Sequence, residues 1–127
     1  LKNTSKTKHL HIHSIRTCGT LPQKWKMYFN STGGTLISDQ SAASKNNLNL
    51  LSANSPDATV YKGADGKTLT GGTMTDHLVN DVGHSEEVFD GSLILGTNDS
   101  LELTVEVSAA CDVCTRVIGY YASQETH

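Results

Sequence analysis

Proline is scarce in this chain, at two residues in 127, aromatic side chains make up 6%, and cysteine occurs three times. No uninterrupted apolar run approaches the roughly 18–20 residues that a membrane-crossing helix needs. The opening segment, Leu1 to Lys8, is polar and lacks the apolar stretch of a secretory signal. There is no P-loop, no G-x-G-x-x-G dinucleotide fingerprint and no G-x-S-x-G nucleophile turn. What remains, 36% hydrophobic and 18% charged residues in 13.6 kDa, is the composition of one globular domain. A chain of that mass can bury roughly two-thirds of its unfolded surface, so no second core is required.

The formal net charge is −3, and Lys2, Lys6 and Lys8 lie in an opening segment without an acid, which leaves −6 on the remainder. Neutralising phosphates takes a basic face, and no Lys/Arg cluster with interleaved aromatics follows residue 30, so no nucleic-acid partner is expected. No membrane partner is expected either. The division this predicts is a basic N-terminal arm over residues 1–8, solvated or touching an acidic partner, and a single domain over residues 9–127.

Cys18, Cys111 and Cys114 are odd in number and poorly spaced for a disulfide framework, which favours a reducing site of folding. Cys111-Asp112-Val113-Cys114 is a lone C-x-x-C. Zinc would need further ligands, such as Cys18 and a histidine, and the motif opens a strand rather than a helix, so a small buried or turn role is expected, with metal binding or a disulfide as the alternatives. Asn3-Thr4-Ser5, Asn30-Ser31-Thr32 and Asn98-Asp99-Ser100 match the glycosylation sequon, as chance alone would produce in so Ser/Thr-rich a chain.

Alternation of period two is strongest where Leu101, Leu103, Val105 and Val107 interleave with Glu102, Thr104, Glu106 and Ser108. A second strand is predicted over Val113 to Tyr121, and the short connection predicts that the two pair as an antiparallel hairpin. Trp25, Met27 and Phe29 form one face of a strand over Gln23 to Asn30, preceded by a strand over Lys8 to Thr17. The turn chemistry of Cys18-Gly19-Thr20-Leu21-Pro22 predicts another hairpin there. Thr35 to Ser38, Asn47 to Leu51, Ala58 to Lys62, Thr73 to Val79 and Ser92 to Leu95 are shorter candidates, with a short helix over Ser41 to Leu51 as an alternative. Turn clusters such as Ser55-Pro56-Asp57 and Asp90-Gly91 separate them. The fold class expected is all-β, an antiparallel β-sandwich or jelly-roll-like domain of about eight short strands.

Few residues carry recognisable chemistry. His9, His11 and His13 form H-x-H-x-H in a strand, which places their imidazoles on one face, where two neighbours could share a divalent metal or three chains could complete a site about an axis. A polar strand face is the plainer account, and no cofactor is expected. A hydrolytic centre would recruit His77 or His84 with Asp76, Ser85 or Glu86, yet sequence neighbours on a strand or loop do not face one another as a triad requires. Glu86, Glu87 and Asp90 read as a solvated loop. The chain is therefore expected not to be an enzyme but a binding or assembly module.

Taken in order, His11-Ile12-His13-Ser14-Ile15-Arg16-Thr17-Cys18, Trp25-Lys26-Met27-Tyr28-Phe29-Asn30 and the run Phe89 to Leu103 are similar to segments of small β-sandwich virion proteins of tailed bacteriophages. In those proteins a late L-x-x-G-D-S-L-x-V segment leads to a final strand with a Gly-aromatic pair. Leu95-Gly96-Thr97-Asn98-Asp99-Ser100-Leu101 and Ile118-Gly119-Tyr120-Tyr121 resemble that ending. The resemblance covers residues 9–37 and 88–122 and rests on turn and core positions. It implies a multi-copy structural protein of the virion, assembled in the host cytoplasm. The role it implies is a capsid decoration, or cement, protein bound to the major capsid protein or another virion protein, often as a trimer. Lys2, Lys6 and Lys8, together with an apolar patch drawn from Val88, Phe89, Leu78 and Val79, are the candidate contacts. The alternative is a receptor- or carbohydrate-binding module, or a tail, neck or fibre component, with Tyr61, Tyr120 or Tyr121 stacking on a sugar. Trp25 belongs to the apolar stripe and is expected in the core.

Overall fold

In the computed structural model, residues 1–31, 41–42, 47–48, 51, 55–62, 69, 71–80 and 83–123 are described; of these, side chains at 41–42, 61–62 and 75–80 are left aside. The strands are β1 (Lys2–Asn3), β2 (Lys8–Gly19), β3 (Gln23–Phe29), β4 (Ser41–Ala42), β5 (Ala58–Thr59), β6 (Tyr61–Lys62), β7 (Thr73–Asn80), β8 (Gly83–Leu95), β9 (Leu101–Val107) and β10 (Val113–Ser123). There is no helix among the described residues, and so none long and apolar enough to cross a membrane. Two three-stranded antiparallel sheets, ordered β10-β2-β8 and β7-β3-β9, form the sandwich, and the two-stranded pairs β1-β5 and β4-β6 accompany them.

The alternating patterns dictate which faces meet. Leu10, Ile12, Ile15, Met27, Leu95 and Leu101 make the buried cluster, with Phe29, Phe89, Leu93, Leu103, Val117 and Tyr121 packed around it. Burying each large apolar side chain contributes about 1.5–3 kcal/mol, which is what holds one sheet on the other. Trp25 is also buried and donates its indole N–H to Gln23 Oε1 at 3.2 Å, so its polar edge is satisfied inside the sandwich.

Neither expected hairpin forms. β9 pairs with β3, and β10 pairs with β2 along its whole length, from Val113↔Gly19 to Ser123↔Lys8. Likewise β2 and β3 lie in different sheets. The connectors at 20–22 and 108–112 are corners crossing from one sheet to the other. They lie side by side, since Thr20 N–H donates to the Asp112 carbonyl at 3.1 Å and Asp112 N–H to Thr20 Oγ1 at 3.3 Å. Pairing the first long strand with the last, and the second with the next to last, is jelly-roll-like winding. It lets four amphipathic strands cover one another's apolar faces, which two separate hairpins would leave wet.

β8 is a further departure. The expected strand at Ser92–Leu95 and the expected loop around Glu86, Glu87 and Asp90 belong to one thirteen-residue strand. Asp90 and Gly91 adopt φ of 53° and 80°, so their turn chemistry is spent on a bulge inside the strand rather than on a loop. Thr35 to Ser38 lies outside the described residues, as does most of the stretch from Ser41 to Leu51. Ser41–Ala42 is extended, whereas Asn47, Leu48 and Leu51 are outside any strand.

Residues 1–8 are not a free arm. Asn3 is fully buried, its side-chain amide donating to the carbonyls of Lys8, Leu95 and Gly96 at 3.1, 2.9 and 3.2 Å. Its Oδ1 accepts from Ser5 N–H at 3.0 Å. Asn3 N–H also bonds the Asp99 carbonyl, and Asn98 N–H the Asn3 carbonyl. The Gly96–Ser100 loop thereby clasps the N-terminal segment, while Lys2, Lys6 and Lys8 remain exposed. Burial of Asn3 also closes its sequon to modification in the folded chain.

The preferred cysteine reading, a small buried or turn role in a reducing setting, is overturned too. Cys18 and Cys114 are disulfide-bonded with Cα atoms 5.0 Å apart, 96 residues separated in sequence but directly opposite in the β2–β10 register. Cys111 remains a free thiol, half-buried. A three-residue spacing carried no information about a bond whose partner is set by strand pairing.

Candidate functional site

β2 is the centre of its sheet, so its outward side chains set the middle of the outer face. Directly opposed residues share a face, and the registers give successive outward rows: Cys114-Cys18-His84, Arg116-Arg16-Glu86, Ile118-Ser14-Val88 and Tyr120-His11-Ile94. Val88, Ile94 and Tyr120 are 55%, 49% and 50% exposed, and Ile118 is half-buried beside them. Two adjacent rows therefore present an apolar and aromatic patch to solvent.

A defect in β2 shapes this patch. Ile12 opposes Gly119 and Ser14 opposes Ile118, so His13 has no partner on β10. On β8 the same residue is spanned by Phe89 to Ser92, between Leu93 and Val88. The bulge sends Ile12 and Ile15, three positions apart, both into the core. It also breaks the expected row of three imidazoles. His11 stacks on Tyr120, centroids 5.0 Å apart and planes 10° apart, and its Nδ1 sits 3.1 Å from the Gly91 carbonyl oxygen. His13 instead turns its Nδ1 toward Asp90 at 3.5 Å, while His9 lies half-buried one row away, opposite Ala122. Among the described residues no group of three or more His, Cys, Asp or Glu side chains could hold a metal ion, so the H-x-H-x-H motif does not converge on one within a single chain.

The Tyr120 hydroxyl lies close over Gly91. A Cβ at Gly91 would collide with that oxygen and would be strained by its φ of 80°. The left-handed bulge thus makes the space in which Tyr120 lies flat across His11. Ser92 Oγ–H donates to the Phe89 carbonyl at 2.6 Å and tightens the same bulge.

A polar rim borders the patch. Arg16 donates through Nε and Nη2 to Glu86 Oε2 at 3.3 and 3.0 Å, with Arg116 next to Arg16 on the other flank. The patch thus has an apolar and aromatic centre with arginines and a carboxylate at its margin. This pair is partly exposed, so its contribution is to hold orientation rather than to stabilise the fold.

The remaining sequence candidates divide by face. Phe89 points inward and packs on the core, so of the Val88/Phe89 pair only Val88 is available. Tyr121 also faces the core. Its hydroxyl donates to the Asp57 carbonyl at 2.8 Å, and burial, aided by the Asp57 charge, raises its pKa above the ordinary tyrosine range. Only Tyr120 of the two is placed to meet a ligand. The side chains of Tyr61, Asp76, His77, Leu78 and Val79 lie outside the described residues. His84 and Glu86 fall in different outward rows and Ser85 lies in an inward one, opposite Thr17, so the hydrolytic grouping is not assembled among them. Ile94 and the His11–Tyr120 stack escaped the sequence reading; the run Leu93-Ile94-Leu95, apolar on both faces, was the available signal.

Comparison with protein-family models, with curated proteins and with solved structures finds no match to the chain.

Proposed function

We propose that this chain is a non-enzymatic virion structural protein of a tailed bacteriophage, a capsid decoration protein that docks on the major capsid protein through the outer face of the β10-β2-β8 sheet. The observation that carries the reading is the solvent-facing patch of Val88, Ile94 and Tyr120 on a disulfide-tied sheet. The sequence resemblance in residues 9–37 and 88–122 supplies the setting. Contacts of this kind are individually modest, and multiple copies on a shell add up through multivalency to oppose outward pressure from packaged DNA. The tie matters because a patch built on a tied sheet loses little freedom on docking.

Replacing both Val88 and Ile94 by Glu is expected to weaken binding to undecorated capsids by on the order of 30-fold or more, with the melting temperature nearly unchanged, since both side chains face solvent. Quantitative pelleting with capsids checks this; full retention of binding would remove the patch from the account. Lys2, Lys6 and Lys8 are exposed on the clasped N-terminal segment. Their joint replacement by Gln should reduce the salt sensitivity of binding while the fold persists. Deleting residues 1–8 would not be a test of charge, because it removes Asn3 from the core.

A second reading rests on Tyr120. A half-exposed ring stacked on an imidazole, with Asp90 and Ser92 exposed at the neighbouring bulge, is a surface on which a sugar face could stack. Binding on a glycan array that disappears in Tyr120→Ala, with no association with capsids, would move the chain to the receptor-binding alternative.

A further inference from the structure

Among the described residues the two three-stranded sheets have four edge strands, β10 and β8 in one and β7 and β9 in the other, and they are not equally protected. Exposed edges invite pairing with another chain, and proteins blunt them with charges, bulges or short length. β8 carries Glu86, Glu87 and Asp90 and is interrupted by the bulge at Asp90 and Gly91. β9 is seven residues long with Glu102 and Glu106, and β7 is eight residues long with Asp76. β10 has the least of these devices. It runs for eleven residues, Val113–Ser123, with Arg116 as its single charge and no proline. The irregularity opposite it lies in β2, where His13 is the extra residue, so β10 itself is continuous. Among the described residues, nothing pairs with its outer side.

From this asymmetry we infer that β10 is a self-association strand: a second copy of this chain pairs antiparallel with it, joining two three-stranded sheets into one sheet of six. A partner for the full ladder must itself be long and uninterrupted. Among the four edges only β10 meets that condition, because β8 is broken by its bulge and β7 and β9 are shorter. Pairing like with like about a two-fold axis is also closed, so it ends at two copies rather than growing into a filament. Continuity of the two faces requires outward residues to oppose outward residues. Centring the axis on Ile118 sets Ile118 against Ile118 and Arg116 against Tyr120 twice, keeping the two arginines apart and placing each guanidinium beside an aromatic ring. The two outer patches then lie side by side on one face. This assignment stands whether that face binds a capsid, a glycan or neither, and it differs from the trimer that the sequence resemblance implies.

The test is the native mass of the Cys111→Ser variant, which excludes a covalent link through the free thiol, over a wide range of protein concentration. A reversible dimer is expected, and a monomer throughout or a trimer would overturn the inference. Ile118→Lys and Ile118→Glu each place like charges on the axis, so each alone should halve the mass, and mixing the two should restore it. Hydrogen exchange on the chain without an Ile118 substitution guards against misfolded variants: the amides of residues 113–123 that point away from β2, every second one, should slow by about tenfold or more as concentration rises, while those of β9 do not change. A dimer whose β10 amides ignore concentration would place the contact elsewhere and refute edge pairing.

Discussion

Replacing Cys18 and Cys114 together by Ser is expected to destabilise the fold by about 4–5 kcal/mol, because their bond closes a loop spanning 96 residues and long loops lose the most freedom when closed. For a domain of this size that corresponds to a fall in melting temperature of roughly 15–20 °C. The double variant is the right comparison, since a single substitution would leave Cys111 free to pair with the remaining cysteine. The bond ties the edge strand β10 to the central strand β2, so its loss should be felt first as faster exchange at residues 113–123. Cys111→Ser should change stability little. Thermal melts of the three chains check the ordering, and a loss below about 1 kcal/mol in the double variant would mean that β10 is held by its ladder and core contacts alone.

Asn3→Ala should be nearly as damaging, at about 3–5 kcal/mol. Two amide hydrogens are shared among the carbonyls of Lys8, Leu95 and Gly96, and the side-chain oxygen takes the Ser5 N–H, with the Asn3 side chain itself fully buried. Alanine removes every one of these partners, and each buried group left unsatisfied costs about 1–3 kcal/mol, with the total less than additive because the Gly96–Ser100 loop can relax. Asn3→Asp is a sharper probe. It keeps the shape but turns a donor into a carboxylate oxygen facing carbonyls, so it should cost at least as much as alanine. Chemical denaturation of both variants settles the ordering, and an aspartate that is better tolerated than alanine would contradict the donor assignment.

Much of the architecture was legible because it is written in period two. Trp25, Met27 and Phe29, and Leu101 and Leu103, turn inward as their alternation requires, with Met27 opposite Leu103, Phe29 opposite Leu101 and Trp25 opposite Val105 in the β3–β9 register. Pairing was not legible. A corner between two sheets and a hairpin turn within one sheet can be equally short, and only the need to cover both apolar faces decides between them. That single ambiguity hid the β2–β10 register, and with it the disulfide.

The candidate site was half legible for a related reason. Val88 and Tyr120 follow from alternation along their own strands, with Phe89 and Tyr121 taking the inward positions. His11 and Ile94 join them only through lateral register. No glycine or proline marks the His13 bulge in β2, and its counterpart, Asp90-Gly91, has the composition of a turn. The three histidines therefore looked like one row in sequence and serve three different neighbourhoods in the fold. The N-terminal lysines looked like an arm because charge is visible in sequence, whereas the hydrogen bonds of Asn3 depend on a loop some ninety residues away.

The most direct test of the proposed role is to mix the purified chain with undecorated capsids, pellet the particles, and measure bound chain against chain added. Saturable binding at a fixed number of copies per particle, lost when Val88 and Ile94 are both replaced by Glu, is the predicted result. A chain that stays in the supernatant at every concentration would contradict the capsid role.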